Sequence, residues 1–594
     1  MLRSIIKLNF SWPARKTNNI RYDVEKLEDP GTMQCYQTEL SNRFSILSTD
    51  SDSTTLYNDI TTTITEAVAN NLTKTKKEST TWLTDNTKRA IENKHNIRKT
   101  FGSNSSEYKI AKAETKKAVK KDKLKFTEQE LDLLSKAPPH KQYYAAVRKL
   151  KTKQSTISWS IKDKNGKILT NKKQILERWA KFYEELYSDN TPDFNVDDSS
   201  EEKIPSILKS EITYAISNLK IRKSPGLDNI YSEYLKAGGD PLINTLQILF
   251  NKILQENSIP QAFKEALIVV LFKKGSRLDC ENYRPISLLS HVYKLFITIV
   301  ANRIKNDLYA SFPTSQAAYQ PGRGTIEQVI ALEQIIEKSI EFNHPAYIVF
   351  IDFTKAFDSI KLPFLWKLLN KTTNINKRYI NLLKSTYDNS NATIKTDIGI
   401  TQQVKICKGV KQGDVLSAIL FCIVIAAIIN QTETECNSGF PIAGRLISNL
   451  SYADDIGVIN NSLEELQSFI NILNSYANEV GLFINTKKTK CMTTSQSTTS
   501  LQITINGQKI EQVKEFIYLG HKVSSVNDGS AAVQHRIGLG WAAFQKNKKI
   551  LTSKRVPYRI KAKTYKTYIL PVVLYGLECV NWTASLCNKI EIFC

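Results

Sequence analysis

The segment S-Y-A-D-D-I-G-V-I at residues 451–459 constrains the fold more than any other part of the sequence. β-branched residues follow two adjacent acids, a pattern that predicts two strands joined by a tight turn that carries Asp454 and Asp455. Adjacent carboxylates repel each other, so such a turn needs a cation or abundant water beside it. Taken alone, the segment is equally compatible with an ordinary solvated loop.

A third acid lies about a hundred residues upstream, in Y-I-V-F-I-D-F-T-K-A-F-D at residues 347–358. The short apolar run predicts a buried strand that ends at Asp352. Beside the acidic turn, this carboxylate would complete a site for two divalent cations, because Mg²⁺ prefers carboxylate oxygens. Two such ions, roughly 3.5–4 Å apart, can clamp the attacking and leaving oxygens of an in-line phosphoryl displacement. The pattern therefore favours metal-dependent phosphoryl transfer.

An excess of basic residues predicts a polyanionic partner. The formal net charge is +24, and phosphate contacts made by such a chain would weaken steeply with salt. Residues 109–153 contain 14 basic and 5 acidic residues, and residues 546–566 contain nine basic residues and no acid, with Tyr558 and Tyr565 among them. Basic residues with aromatic neighbours suit a nucleic-acid backbone. A solvated helical face is the alternative for any single lysine of the first segment.

Cysteine usage and hydropathy indicate the kind of compartment. Nine cysteines are scattered without a C-x-x-C pair, which favours a reducing compartment over a disulfide framework or a zinc site. The most apolar run, residues 415–429, is too short for a membrane span and predicts a buried helix. The N-terminus lacks the apolar core and cleavage site of a signal peptide. We therefore expect a protein that is not secreted and has no membrane partner.

A hairpin and a helix are predicted ahead of the acidic motifs. Residues 157–169 alternate around Asn165 and Gly166, which predicts a β-hairpin with a type I′ turn, since that turn needs positive φ at both central residues. Residues 175–186 predict an amphipathic helix with a core-facing stripe of Ile175, Trp179, Phe182 and Leu186. The acidic, serine-rich residues 187–203 predict a linker.

Four motifs, taken in order, make the sequence resemble the reverse transcriptases of non-LTR (LINE-type) retrotransposons. They are N-Y-R-P-I-S-L-L at 282–289, K-G-V-K-Q-G-D-V-L-S at 408–417, Y-A-D-D at 452–455 and G-L-F-I-N-T-K-K-T-K at 481–490. Group II intron and retron polymerases share Y-A-D-D, whereas the first two motifs favour the non-LTR class. The resemblance extends over about residues 204–582 and includes F-I-Y-L-G at 516–520, similar to a primer-grip hairpin, and L-P-V-V-L-Y-G at 570–576.

The resemblance implies an α+β fold, the right-hand polymerase, with fingers, a palm built on an antiparallel sheet, and a helical thumb. It places fingers and palm at residues 204–523, with a core at 252–523, and a shortened thumb at 524–594. Ahead of these we expect a mostly helical basic region at 1–155, then the hairpin, helix and linker at 156–203. An endonuclease domain, which such elements use to nick their target DNA, is not expected in this chain.

The resemblance also implies catalytic residues and a cofactor. Asp352 and Asp454 would bind both metal ions, with Asp455 supporting the cluster, and the ions would be Mg²⁺ with Mn²⁺ as a substitute. Lys488 matches the lysine of the fourth motif, and a lysine so placed could protonate the departing pyrophosphate. Residues 316–325 are similar to a family segment that is expected to lie against the template.

A binding site for the incoming dNTP is implied as well. Arg284 and either Lys273 or Lys274 would contact the phosphates, since arginine can bind phosphate oxygens in a bidentate manner. For the two lysines an ordinary surface position is the alternative. Phe357 matches the aromatic gate that crowds a ribose 2′-hydroxyl, with a core phenylalanine as its alternative. Gln412 would lie under the base and sugar.

Further expectations concern the neighbours of these residues. Gly409 and Gly413 would allow the backbone to approach the primer–template and the nucleotide closely. Val415 and Ala418 stand where the family has prolines, which loosens the loop without removing a chemical group. Asp358 is expected to cap a following helix.

The function implied is RNA-directed DNA polymerisation, in which the 3′-hydroxyl of a primer attacks the α-phosphate of a dNTP on an RNA template. The partners would be template RNA, primer or target DNA, and dNTPs, and the family implies a nuclear and cytoplasmic location. The alternative is a catalytically decayed, nucleic-acid-binding relic of such an element, against which stands the presence of every chemical group named above. A maturase-like splicing factor, bound to one structured intron RNA, is a third interpretation.

Overall fold

The computed structural model describes residues 22–74, 82–136, 143, 144, 147, 160–195, 204–495 and 501–593. The chain forms two compact units. The first comprises Met1–Ser79, Ile207–Ser224 and Ile230–Lys252, and the second comprises Thr80–Ser206, Pro225–Asn229 and Ile253–Cys594. Residues 157–159 of the predicted hairpin, most of 137–153 in the basic segment and 196–203 of the predicted linker lie outside the described residues.

Helices and strands alternate along most of the described chain. The α-helices are α1 (Pro30–Phe44), α2 (Ser53–Asn71), α3 (Asp85–Phe101), α4 (Ser106–Lys136), α5 (Lys172–Tyr187), α6 (Lys209–Asn218), α7 (Ser232–Ala237), α8 (Gly239–Glu256), α9 (Gln261–Lys264), α10 (His291–Ala310), α11 (Thr325–Glu341), α12 (Ala356–Ser359), α13 (Leu362–Thr372), α14 (Lys377–Ser385), α15 (Ser417–Glu435), α16 (Leu463–Glu479), α17 (Ser530–Leu551), α18 (Tyr558–Tyr568), α19 (Leu570–Leu574) and α20 (Ala584–Phe593). Short 3₁₀ helices lie at Val24–Glu28, Cys280–Asn282 and Leu577–Cys579.

The strands form several sheets. They are β1 (Ile161–Lys162), β2 (Ile168–Leu169), β3 (Glu265–Phe272), β4 (Tyr283–Leu288), β5 (Tyr347–Ile351), β6 (Asn391–Lys395), β7 (Ile400–Lys405), β8 (Phe440–Ile442), β9 (Arg445–Ile447), β10 (Asn449–Tyr452), β11 (Asp455–Asn460), β12 (Lys490–Thr493), β13 (Thr504–Ile505), β14 (Gln508–Lys509), β15 (Glu511–Gln512), β16 (Glu515–Tyr518) and β17 (His521–Ser524).

The first unit is built from helices. α1 begins after Asp29, whose carboxylate accepts a hydrogen bond from a backbone amide of the first turn, and Pro30 occupies the first helical position. Asp52 caps α2 in the same way. Tyr36 of α1 is fully buried, and its hydroxyl donates to the carbonyl of Tyr234 in α7 at 3.3 Å. Segments far apart in the sequence therefore share one core.

A five-stranded sheet in the order β10-β11-β5-β12-β15 forms the centre of the second unit. β10 and β11 are the predicted hairpin, and β11 pairs antiparallel with β5, the predicted buried strand, with Ile456 opposite Ile351. β12 pairs antiparallel with the other edge of β5, whereas the short β15 runs parallel to β12. Leu332 and Ile336 of α11 share a buried cluster with Phe350 of β5. The sheet expected for a polymerase palm is thus confirmed.

A second sheet, in the order β4-β3-β6-β7, contains the N-Y-R-P-I-S-L-L motif, most of which forms β4. β4 pairs antiparallel with β3 along the whole length of β4, and β3 runs parallel to β6. The chain turns into α10 directly after β4, where the Ser290 hydroxyl accepts from the amides of Val292 and Tyr293 and so caps the helix.

The hairpin predicted at residues 157–169 is present as β1 and β2, but its turn differs from the predicted one. Of Asn165 and Gly166, only the glycine has a positive φ, 81°. The Asp163 carboxylate instead accepts from the amides of Asn165 and Lys167 at 2.9 and 2.8 Å. A longer loop closed by an aspartate side chain therefore replaces the type I′ turn, because such a side chain can take the place of a backbone acceptor.

Two predicted core helices are confirmed. α5 buries Ile175, Trp179 and Phe182 of the expected stripe, whereas Leu186 is only half-buried. α15 contains the apolar run, and side chains from Leu420 to Ile429 are buried on nearly all sides. In the part of the chain that the structure describes, α15 alone has the length and apolar content of a membrane span, and most of it is buried inside the protein.

Candidate active site

Three acids meet at one edge of the central sheet. The antiparallel register of β5 and β11 places Asp352 and Asp455 at neighbouring strand ends. Only Ala453 and Asp454 join β10 to β11, and Ala453 takes the left-handed conformation with φ 55°. A non-glycine residue in this conformation is uncommon and needs support from its surroundings.

Gln316 provides that support, a role that no pattern in the sequence predicted. Its side chain is fully buried, and Oε1 accepts from the backbone amides of Ala453 at 2.9 Å and Ala318 at 3.0 Å. The adjoining backbone bonds on both sides of Ser451, so the segment before α11 runs alongside β10. We predicted residues 316–325 to lie against the template. The structure shows that their first residue holds the acidic turn, a role that a lone glutamine in a sequence does not signal.

The environment opposes the negative charges of the turn. Burial raises the pKa of Asp454, and the nearby Asp352 carboxylate adds to this effect. Burial, followed by repulsion from Asp454 and Asp352, raises the pKa of Asp455 to about 6, although this side chain still opens onto a cavity. Lys273 opposes both shifts. Carboxyl groups whose charged forms are disfavoured by burial and by each other are typical of a site that acts on charged groups.

Lys488 already neutralises part of this charge. Its Nζ lies 2.9 Å from Oδ2 of Asp352, and the two side chains are about half exposed. Asn485 sets the geometry of this contact: its amide donates to the carbonyl of Asp352 at 2.7 Å, and its own carbonyl accepts from the amide of Lys488 at 3.1 Å. The fourth motif thus brings its lysine to the carboxylates.

The donor set at this edge suits a hard divalent cation, since it consists of carboxylate oxygens. As the side chains stand, no three Asp, Glu, His or Cys groups among the described residues converge on one point as a metal site. Asp352 would have to exchange its contact with Lys488 for an ion. The raised pKa values of Asp454 and Asp455 fit such an exchange, because a cation would offset the burial, and the repulsion added to it, that raise them.

A cavity of about 510 Å³ opens beside the carboxylates. Its lining includes Asp352, Asp455 and Lys488 together with residues 516–520 of the β16–β17 hairpin. The volume is in the range of known small-molecule sites. Three of the four predicted catalytic residues therefore border a space that is also lined by the segment predicted as the primer grip.

On the other side of the acids, four side chains form a continuous chain of hydrogen bonds. Arg284 Nε donates to Gln412 Oε1 at 3.3 Å, and Gln412 Nε2 donates to both carboxylate oxygens of Asp358 at 3.2 and 3.1 Å. The hydroxyl of Tyr187, at the end of α5, donates to Asp358 at 3.3 Å. The predicted helix cap at Asp358 is wrong: the side chain is buried within α12 and fixes Gln412.

This buried acid gives a testable pH dependence. Desolvation raises the pKa of Asp358 to about 6, against the opposing charge of Lys355. The folded protein therefore holds the proton more tightly than the unfolded chain, so Asp358 reduces stability progressively as pH rises from about 4 to about 6. Relative to the parent, the Asp358→Asn variant should gain about 3 kcal/mol in free energy of unfolding across that range. Urea unfolding at a series of pH values measures it.

The control for this measurement is Asp307→Asn, which changes an exposed acid on α10. A constant difference between Asp358→Asn and the parent at every pH would contradict the prediction. A growing difference in the control as well would show that the effect is not specific to the buried carboxylate.

The predicted nucleotide-binding cations differ in position. The charges of Lys273 and Arg284 both lower the pKa of Asp454, so these two side chains act on the acidic turn. Lys274 is exposed and is not among the groups that shift either acid of the turn. The electrostatics therefore favour Lys273 over Lys274 as the partner of Arg284.

Phe357 and two glycines shape the loop that carries Gln412. The Phe357 ring is stacked on Phe421 of α15, with centroids 4.2 Å apart and planes at 13°. A Cβ at Gly409 would lie 2.8 Å from the backbone of Asp358, and one at Gly413 would lie 2.6 Å from the carbonyl of Ser287. The close approach that these glycines allow in the structure is to the protein's own backbone.

A buried ionic cluster lies under the same loop and was not predicted. Lys411 is almost fully buried; its Nζ donates to the Thr386 carbonyl at 2.8 Å and lies over the rings of Tyr387 and Tyr293. The Tyr293 hydroxyl donates to Asp414 at 2.7 Å. Desolvation lowers the pKa of Lys411 to about 8 and raises that of Asp414. The buried Lys411 and the half-buried Asp414, which contact the same tyrosine, therefore lie on either side of Gln412 in the sequence.

Asp414 also explains one departure from the family motif. Its Oδ1 accepts from the backbone amide of Val415 at 2.5 Å. A proline at position 415 would have no such donor. Val415, which we expected to loosen this loop because it stands where the family has proline, thus adds a hydrogen bond through its backbone amide.

Comparison with known proteins agrees with this geometry. Residues 272–523 match the family model described as reverse transcriptase (RNA-dependent DNA polymerase). The chain is 28% identical over 408 residues to a probable RNA-directed DNA polymerase from transposon BS of Drosophila melanogaster, covering 66% of this chain and 44% of that protein. It is 26% identical to an RNA-directed DNA polymerase from mobile element jockey of Drosophila funebris, covering 65% and 43%.

A third relative is a Pol polyprotein from a type-1 retrotransposable element R2 of Nasonia vitripennis, 27% identical, with 46% of this chain and 27% of that protein covered. The chain thus spans less than half the length of these curated relatives. Every predicted catalytic and nucleotide-binding residue lies inside the matched range, residues 272–523. Reverse transcriptases in general use divalent metal ions.

Proposed function

We propose that the chain, which carries a reverse transcriptase domain and is related to RNA-directed DNA polymerases of non-LTR retrotransposons, is itself such a polymerase. It extends the 3′-hydroxyl of a primer with dNTPs on an RNA template. The observation that supports this most strongly is the meeting of Asp352, Asp454 and Asp455 at one sheet edge, next to a cavity of about 510 Å³.

The metal-binding residues in this proposal are Asp352 and Asp454, with Asp455 in support. The group they would hold is a pair of Mg²⁺ ions, which when bound polarise the α-phosphate and the attacking oxygen. Mn²⁺ has the same preference for oxygen ligands and is the expected substitute. An ion at Asp352 would take the place of the Lys488 contact, and the lysine ammonium would then be free to act elsewhere. Lys488 Nζ can then give a proton to the leaving pyrophosphate.

The remaining residues bind and orient the nucleotide. Arg284 and Lys273 face the acidic turn and supply the cations for the triphosphate, with Lys274 a weaker candidate. Gln412, held by Asp358 and Arg284, supports the base and sugar. Phe357, held against Phe421, excludes a ribose 2′-hydroxyl by its bulk.

Template RNA and primer DNA are the proposed macromolecular partners, with nuclear and cytoplasmic sites of action. α4 supports the first of these. Within the described residues, one stretch of this helix exposes eight lysines: Lys109, Lys112, Lys116, Lys117, Lys120, Lys121, Lys123 and Lys125. At 1.5 Å per residue the lysines extend over roughly 24 Å of helix, which is long enough to follow several phosphates.

Neutralising three lysines on one face of α4 should weaken RNA binding and its salt dependence. Each lost phosphate contact reduces the slope of log K against log salt by about 0.7 for a single strand. The variant changes Lys112, Lys116 and Lys120 to Gln, and filter binding or anisotropy over a salt series measures the slope. The control neutralises three exposed lysines elsewhere, Lys209, Lys305 and Lys371. Equal slopes for both variants would mean that α4 contributes only overall charge.

Extension of a labelled DNA primer on an RNA template, with dNTPs and Mg²⁺, tests the proposed function. Extension supports the polymerase. RNA binding without extension would favour the alternative, a decayed nucleic-acid-binding relic. Binding restricted to one structured intron RNA would instead favour the maturase-like interpretation.

A further inference from the structure

The turn between β16 and β17 has a conformation that its sequence disfavours. Tyr518 pairs with His521, so Leu519 and Gly520 alone form the turn. Both have left-handed backbones, with φ 47° and 82°. This pairing of positive φ values is the type I′ turn, which favours Asn-Gly. Leucine at the first position is therefore strained, because its side chain crowds the backbone in this conformation.

Two side chains from the C-terminal helical region bond to this turn. The Tyr575 hydroxyl donates to the carbonyl of Leu519 at 2.9 Å, and Arg536 Nη2 of α17 donates to the carbonyl of Gly520. The guanidinium of Arg536 lies 4.5 Å from the centre of the Tyr575 ring. Both carbonyls of the strained turn are thus occupied by donors that also hold each other in place.

The same tyrosine connects the turn to the palm. The Tyr575 hydroxyl lies 2.9 Å from Oγ1 of Thr325, the first residue of α11. Since Tyr575 donates to Leu519, the Thr325 hydroxyl is the donor in this second contact. Thr325, Leu519 and Gly520 all line the cavity beside the carboxylates. One hydroxyl therefore connects two of the segments that line that cavity.

The neighbouring glycine is explained by the same contact. Gly576 has φ 74°, and a Cβ there would lie 2.9 Å from Nδ1 of His521, the residue that follows the turn. In the L-Y-G sequence at 574–576, Tyr575 thus supplies the hydroxyl that bonds to the turn, and Gly576 leaves room for the His521 side chain at the start of β17. The motif at 570–576, to which the proposed reaction assigns no role, acts on the hairpin.

We propose that Tyr575, with Arg536, is a positioning residue that holds the β16–β17 turn where it bounds the cavity and so determines where the primer end rests. This inference depends on the proposed polymerase function, because it assigns the hairpin wall to the primer. Neither residue lines the cavity, so both act through the turn.

The test is Tyr575→Phe, which removes the hydroxyl but keeps the ring under Arg536. We expect the KM for primer–template to rise about tenfold, the equivalent of one lost hydrogen bond. The KM for dNTP, and kcat at saturating primer–template, should stay unchanged. Tyr214→Phe, which alters an exposed tyrosine of α6, is the matched control and should behave as the parent.

A second substitution separates positioning from general stability. Leu519→Gly relieves the left-handed strain, because glycine adopts positive φ without steric cost. Combined with Tyr575→Phe it should restore the KM for primer–template to near the parent value. An unchanged KM in Tyr575→Phe would overturn the proposal. So would a loss that lowers kcat, raises both KM values and is not rescued by Leu519→Gly, since that pattern describes a merely structural role.

Binding of a primer–template duplex without dNTPs distinguishes this inference from the function on which it depends. If the parent binds the duplex but does not extend it, the polymerase proposal fails. The positioning proposal is then tested by the binding itself. It is supported if Tyr575→Phe weakens duplex binding about tenfold and Leu519→Gly restores it, and it is contradicted if Tyr575→Phe leaves binding unchanged.

Discussion

Asparagine in place of Asp454 is expected to lower primer extension by about 10³-fold or more, since loss of a metal-binding charge removes several kcal/mol of transition-state stabilisation. The substitution keeps the shape of the side chain. The turn itself is held from outside, by the hydrogen bond from the amide of Ala453 to Gln316. The loss should therefore appear in the chemical step, with RNA binding retained.

Extension assays with parent and variant at several Mg²⁺ concentrations measure this effect. Asp307→Asn, which alters an exposed acid on α10, is the control. Equal extension by Asp454→Asn and the parent would point to a contaminating polymerase and would remove this residue from the catalytic set. A partial loss restored by high Mg²⁺ would mean that Asp454 contributes to metal affinity alone.

Methionine in place of Lys411 should destabilise the protein by about 3–5 kcal/mol. Lys411 is buried and Asp414 is half-buried, both groups contact Tyr293, and the substitution leaves the carboxylate without its compensating charge. It also leaves the carbonyl of Thr386 without its donor. Because the cluster lies under the loop that carries Gln412, the loss should be accompanied by a higher KM for dNTP.

Denaturant unfolding of the variant, with Lys405→Met as a control on the exposed side of β7, measures the change. The double variant Lys411→Met/Asp414→Asn removes both charges. It should lose less stability than the two single changes summed, since the two charges compensate each other in the parent. Strict additivity would show that the charges do not interact.

The palm could be predicted because its elements are local patterns. Alternating and apolar runs predicted β5, β10 and β11, and the acids at their ends followed from the strand bounds. The relation between the two strands came from the order of motifs, since no local signal shows that strands a hundred residues apart are neighbours. The structure then supplied the register.

What the sequence did not indicate depends on single hydrogen bonds between distant residues. Gln316, Lys411 and Tyr575 each act on a loop far away in the sequence, and each belongs to a residue type common on surfaces. The turn at Asn165 was misjudged for a related reason, because the Asp163 side chain took over the role of a backbone acceptor. Such competition is decided by geometry that a residue pattern does not contain.

The hydrogen bond between Tyr187 and Asp358 makes the candidate active site depend on a segment outside the reverse transcriptase match. Tyr187 lies well ahead of residue 272, where the match to the reverse transcriptase family begins, yet its hydroxyl completes the hydrogen bonds that orient Gln412. At the other end, Tyr575 lies beyond residue 523, where the match stops. A catalytic core excised at the family boundaries would lose both contacts. A chimera that exchanges this core between relatives would therefore have to carry α5 and the L-Y-G segment with it.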